Sequence, residues 1–265
     1  MRSKKAKPDN EVVNSVKIQH FNTTPVRRIK DVNWILRILT TIGPTIFKLL
    51  SSTRITLRIL EQAGDVSKFL LWQYDTFHEL QIFRTKKSHF DRVIREIRAE
   101  NKLYDVFEFG VAHGYATQYF IEVDENLPSF ISTYRGFDTF FGLPSSYRGF
   151  KKGSFSNSGK FPDIKSIKLV WHKGLVEDTV KPELFLTQPK FLMFDLDLYE
   201  PTLHVLKCIT PNLQIGDILY FDEAFDEGEF RIILNEVLPY FRIKYLGTNG
   251  QSLALKIEGR LVENS

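Results

Sequence analysis

Nine residues constrain this chain more than any others: Val106-Phe107-Glu108-Phe109-Gly110-Val111-Ala112-His113-Gly114. A short apolar run with a carboxylate near its end, then small residues at every second position, predicts a strand that stops in a tight turn before a helix starting near Tyr115. Glycine at 110 permits the turn. Glycine at 114 lets a ligand or the neighbouring strand come close to the helix start, where unpaired N–H groups gather. Turns of this kind cradle cofactors, yet ordinary strand-to-helix connections share the spacing, so the reading depends on the rest of the chain.

Downstream of the turn, strands and helices alternate. Residues 116–123 predict the partner helix, and 133–138 a second strand whose terminal carboxylate, Asp138, suits ribose hydroxyls. Strands at 167–171, 191–196 and 217–222 then alternate with helices around 178–186, at 201–209 and at 229–240. Such alternation means a doubly wound parallel sheet with helices on both faces. The ending differs: 241–246 and 252–257 flank Gly247-Thr248-Asn249-Gly250-Gln251, and Asn-Gly is a hairpin signal, so the last strand returns antiparallel. Between 139 and 165 stand Gly142, Pro144, Gly149, Gly153, Gly159 and Pro162, the composition of a long loop bordering the site.

Upstream of the organising strand the chain is basic. Residues 1–30 are polar, without the apolar centre of a secretory signal, and predict a flexible tail. Residues 32–60 are apolar and basic together; their longest uncharged run, 38–47, has ten residues and contains Gly43-Pro44, too short to span a bilayer. Two helices split at Gly43-Pro44 are expected, packing on the main domain or, as the alternative, lying peripherally on an anionic membrane surface. Helical periodicity continues through 66–83 and again from Ser88, read as an N-cap, with Phe90, Val93, Ile94 and Ile97 on one face. The division expected is a tail at 1–30, a helical extension or lid at 31–100 and the main domain at 101–265.

A formal charge of +4 over 265 residues is too small for whole-protein nucleic-acid binding. The lone cysteine, Cys208, excludes an internal disulfide and a thiolate zinc cluster, reads as a core residue, and fits a reducing, cytoplasmic setting. Two acidic clusters remain. Asp195 and Asp197 end one predicted strand, Asp222 and Glu223 the next, so four carboxylates overhang the rim where α/β sheets bind ligands. Like charges gathered there call for a compensating cation or ligand, and oxygen ligands on two adjacent strands suit a hard ion such as magnesium. Solvent-exposed loop acids are the plainer alternative.

Four motifs in order carry a resemblance: Glu108-Phe109-Gly110-Val111-Ala112-His113-Gly114, Gly136-Phe137-Asp138 through Pro144, Asp195-Leu196-Asp197-Leu198-Tyr199-Glu200-Pro201, and Gly216-Asp217 through Asp222-Glu223. Over about 104–257 the chain resembles the macrocin O-methyltransferase family, a branch of the class I S-adenosylmethionine-dependent methyltransferases. The resemblance implies a Rossmann-like, seven-stranded, mostly parallel sheet with an antiparallel last strand, and methyl transfer to a hydroxyl, often of a sugar. It also implies that Glu108, Gly110, Ala112 and Gly114 contact the amino-acid part of S-adenosylmethionine and Asp138 its ribose, with Lys173 and Gly174 near the adenine. Asp195, Asp222 and Glu223 would bind magnesium, and Asp195 or Asp197 would act as base, with Tyr199 and His204 behind them and His113 shaping the turn.

The sequence departs from the family at two points. Ala112 stands where the commoner pattern has glycine, tolerable where the backbone keeps a negative φ. Glu223 replaces the usual Asp or Asn. The partners implied are a small-molecule acceptor and, left open, a second copy of the chain. Two rivals remain: a metal-dependent glycosyltransferase using Asp195-Leu196-Asp197, and a catalytically silent cofactor-binding module.

Overall fold

The computed structural model describes residues 54–186 and 189–261, with side chains from residue 64 onward. The tail expected at 1–30 and the helical split at Gly43-Pro44 lie outside these residues. Seven strands form one sheet in the order β3-β2-β1-β4-β5-β7-β6. They are β1 (Tyr104–Phe109), β2 (Ile131–Asp138), β3 (Leu169–Lys173), β4 (Lys190–Phe194), β5 (Ile218–Phe221), β6 (Phe241–Gly247) and β7 (Leu253–Arg260). β1 to β5 run parallel to one another, and β7 is antiparallel to both β5 and β6. The Asn-Gly turn joins β6 to β7 as expected, with Gly250 at φ 97 and the Asn249 side chain accepting from the N–H groups of Gln251 and Ser252. The hairpin folds back so that β7 lies between β5 and β6.

Helices α1 (Arg54–Phe77), α2 (Lys86–Ala99), α3 (Tyr115–Asn126), α4 (Val176–Thr179), α5 (Tyr199–Ile209) and α6 (Glu227–Ile232) surround the sheet. Every residue of β1 is buried, because alternate side chains enter different cores. Phe107 and Phe109 pack in a cluster with Phe69 of α1, Val205 and Leu206 of α5 and Ile232 of α6. Tyr104 and Val106 pack in the other, with Phe90, Val93, Ile94 and Ile97 of α2 and Phe120 of α3. The helix-face spacing of the α2 residues is therefore core spacing, and α2 belongs to the same apolar layer as β1.

Several boundaries move for identifiable reasons. The helix expected through Phe83 stops at Phe77, after which His78 takes φ 54. The N-cap of α2 is Thr85: its hydroxyl accepts from the Ser88 N–H, and the Ser88 hydroxyl accepts from the Thr85 N–H. Ser88 is thus the third residue of the box, which brings Lys86 and Lys87 into the first turn. The helix expected around 178–186 divides into α4 and a 3-10 turn at Pro182–Phe185. The helix expected from 229 starts at Glu227 under an Asp226 cap and widens into a π-turn at Ile233–Val237. Among the described residues, no helix is long and apolar enough to cross a membrane.

Candidate active site

Register builds the site. Phe109 pairs with Phe137 of β2 and Phe194 of β4, and Phe194 pairs with Phe221 of β5, so these four phenylalanines form one fully buried rung. Their rings contact in series at 5.1, 5.6 and 4.8 Å between centroids. The residues immediately after them are Gly110, Asp138, Asp195 and Asp222. Backbone bonds extend the ladder one step beyond the strands: Gly110 N–H to Phe137 O, Asp195 N–H to Phe109 O and Asp222 N–H to Phe194 O, at 2.8 to 3.0 Å. Four strands thus deliver a turn and three carboxylates to one level, and there a cleft of about 540 Å³ opens.

Of the residues expected in the site, Glu108, Gly110, Ala112, His113, Asp138, Gly174, Asp195, Asp197, Asp222 and Glu223 line this cleft. Gly114 caps α3 at φ 79. Lys173, Tyr199 and His204 are not in the lining. The Lys173 ammonium reaches the Gly159 carbonyl, 2.5 Å away, and lies over the Phe141 ring. Tyr199 lies under the Arg231 guanidinium, and His204 contacts Cys208, which packs against the core as expected.

The turn is held by an acid. Asp138 Oδ2 accepts from the N–H groups of Val111 and Ala112 at 2.9 and 2.8 Å, and Oδ1 accepts from Phe140 N–H at 2.6 Å. The glycine-position amides therefore organise a carboxylate that faces the cleft. To satisfy it, Ala112 adopts φ 48 rather than the negative φ expected of an alanine there. Gly110 takes φ 90, as the expected turn requires, and it also has a close neighbour. A β-carbon on it would lie 1.8 Å from the Asp195 carbonyl oxygen, so its bareness admits the adjoining strand end. A β-carbon on Gly114 would meet Pro162 and Ile164, so that glycine admits the loop after β2.

Glu108 turns toward the α3 side, where its carboxylate accepts from the hydroxyls of Thr117 and, at 2.7 Å, Tyr134. Burial pushes its pKa up to about 7 against the pull of those two hydrogen bonds. Asp197, at φ 61 in the sharp bend after β4, is likewise pushed up to about 7, first by burial and then by Glu223 and Asp222.

Sequence reasoning missed Lys86. Its ammonium lies 2.8 Å from Asp222 Oδ2 and 3.3 Å from Asp195 Oδ2, and the side chain borders the cleft. Burial would lower the lysine pKa, but the two carboxylates outweigh it and the net shift is upward. Asp195 is nevertheless raised, because burial and the charge of Asp222 exceed the help from Lys86. Glu223 is engaged elsewhere, accepting from the Tyr147 hydroxyl at 2.9 Å. One signal was available: two lysines in a first helical turn oppose the macrodipole, so something other than the helix holds them. Tyr147 and Arg148 were also missed; Arg148 pairs with Asp226 at 2.5 Å and ties the loop after β2 to the rim.

The arrangement is that of the class I methyltransferase fold: this strand order, an antiparallel β7 and a turn after β1 facing acids on the neighbouring strands. The chain is similar to the calicheamicin methyltransferase CalS11, with a TM-score of 0.52 and 22% identity over 82% of this chain and 91% of that one. A second structure of CalS11, described as a TDP-rhamnose 3'-O-methyltransferase, aligns at a TM-score of 0.47 and 24% identity over 82% of this chain and 93% of that one. The O-methyltransferase NovP aligns at a TM-score of 0.48 and 16% identity over 65% and 80%. No family model matches the chain, and no curated protein matches it.

Proposed function

We propose that this chain is an S-adenosylmethionine-dependent O-methyltransferase acting on a hydroxyl of a small acceptor, a sugar or a glycoside. The observation that carries the reading is the shared rung: the Gly110 turn, Asp138, Asp195 and Asp222 border one cleft, with Asp197 on its wall. The likeness of the fold to a calicheamicin methyltransferase and the four ordered motifs of the macrocin O-methyltransferase resemblance support it. In this reading the sheet and the helices packed on it, α2 included, form the catalytic domain.

The donor supplies an electrophilic methyl on a sulfonium. The protein's part is to hold the acceptor oxygen in line and to take its proton. Glu108 and the turn amides, organised by Asp138, would seat the amino-acid end, Asp138 the ribose, and Gly174 with Leu175 the base. Asp197 would take the acceptor's hydroxyl proton, and the bound donor would supply the methyl group, keeping the C–S electron pair on its sulfur.

The expected magnesium site does not fit the residues present. Asp195 and Asp222 already share an ammonium, and Glu223 is engaged by Tyr147. Among the described residues no group of three or more His, Cys, Asp or Glu side chains is arranged to hold a metal ion. The same pairing weakens the glycosyltransferase reading, in which Asp195 and Asp197 would clasp a metal-bound diphosphate. Transfer of labelled methyl from S-adenosylmethionine to a panel of free sugars, nucleotide sugars and glycosides tests the proposal. Label in one acceptor class supports it; donor binding without transfer to any acceptor would favour the silent module.

A further inference from the structure

We infer that Lys86 is the built-in cation of the acceptor site, an ammonium standing where the resemblance noted above implies a magnesium ion. The inference rests on the methyltransferase reading for its function, but its geometry is independent of that reading.

Asp195 and Asp222 end adjacent, in-register strands, and two carboxylates on one level of a parallel sheet repel unless a positive charge stands between them. Lys86 supplies that charge from α2, 109 and 136 residues away in sequence, with one ammonium reaching both acids at 3.3 and 2.8 Å. Its place is not explained by the helix. It lies in the first turn of α2, which contains no acidic residue, where a cation opposes the macrodipole. Nor is it a solvated surface pair, since its side chain is 30% exposed and borders the cleft.

The stoichiometry of donors gives the role. An ammonium has three N–H groups, two of which are engaged by Asp195 and Asp222. The third remains for an oxygen bound in the cleft. It would orient the acceptor hydroxyl and stabilise the negative charge that grows on its oxygen as the proton leaves. A magnesium ion needs oxygen ligands, one or two of them carboxylate and the rest water or substrate, at about 2.0–2.1 Å in octahedral array, and would have to expel this ammonium first.

Manganese titration by calorimetry and by electron paramagnetic resonance, on the full chain with S-adenosylhomocysteine present, tests the inference. Wild type is expected to show no saturable Mn²⁺ site. Lys86→Ala should gain one, saturating at Mn²⁺ concentrations where wild type shows no saturable binding, with a melting temperature that rises with Mn²⁺ while that of wild type stays fixed. Lys86→Met, which keeps most of the length of the side chain without its charge, separates loss of charge from loss of packing and should gain the site too. A saturable wild-type site that neither variant tightens would overturn the inference, and so would three proteins that all fail to bind the ion. S-adenosylhomocysteine affinity, measured alongside, reports on folding and on the methyltransferase reading: loss in every protein would sink that reading and leave the manganese result standing.

Discussion

Ala112 holds a left-handed conformation, φ 48, that costs a residue bearing a β-carbon roughly 1–2 kcal/mol. The cost is sustained because its N–H must point at Asp138. Ala112→Gly should therefore stabilise the protein, by up to about 1 kcal/mol once the added freedom of the unfolded chain is subtracted. Urea unfolding at constant m-value measures this. Gly110→Ala should do the opposite, since the new carbon meets the backbone of Asp195. The loss should appear as several degrees of melting temperature in the absence of any ligand, not only as weaker donor binding. His89 contributes to the loss of stability in acid. It is fully buried with Nδ1 2.8 Å from the Ser252 hydroxyl, and burial, with a smaller contribution from Arg92, holds its pKa down at about 3. The unfolded imidazole titrates near 6.5, so the unfolded state takes up the proton first. The contribution of His89 is complete above pH 6.5 and falls as pH drops toward 3, at roughly 1.4 kcal/mol per unit. His89→Gln should flatten the stability profile over that window, whereas the carboxylate of Glu96, held down at about 2 by Lys244, Arg92 and Lys256 against burial, acts lower.

At the scale of elements, the periodic features of the sequence proved readable and the side-chain partnerships did not. Strand alternation, the Asn-Gly hairpin and the carboxylates at strand ends follow from local pattern, and the sheet assembles them as expected. The spacing of Phe90, Val93, Ile94 and Ile97 identified the buried face of α2, but Ser88 was mistaken for its cap. That error hid Lys86, whose partners lie more than a hundred residues downstream. The φ of Ala112 was not legible for a similar reason, because it is imposed by a carboxylate on another strand. The loop after β2 read correctly as an excursion, yet its attachment is tertiary: Tyr147 donates to Glu223, and Arg148 pairs with Asp226 and lies over Phe225. The double variant Tyr147→Phe, Arg148→Ala should release this clasp. Limited proteolysis between β2 and β3 should become faster, with the melting temperature of the rest changed little.

For the molecule as a whole, one rung of the sheet sets both sides of the cleft, with the Gly110 turn and Asp138 on one side and Asp195, Asp222 and Lys86 on the other. In the function proposed above, the side held by backbone geometry and Asp138 would take the donor, and the side held by Lys86 between Asp195 and Asp222 the acceptor. Removal of residues 1–53 should reduce transfer to an acceptor more than it weakens donor binding, and parallel turnover and binding assays on the shortened chain check this. The central claim is that this cleft takes S-adenosylmethionine, and calorimetric titration of the full chain with S-adenosylhomocysteine tests it most directly. One molecule per chain should bind, with affinity strongly reduced in Asp138→Ala and largely kept in Lys86→Met. Saturable binding of a nucleotide sugar together with no binding of S-adenosylhomocysteine would contradict it.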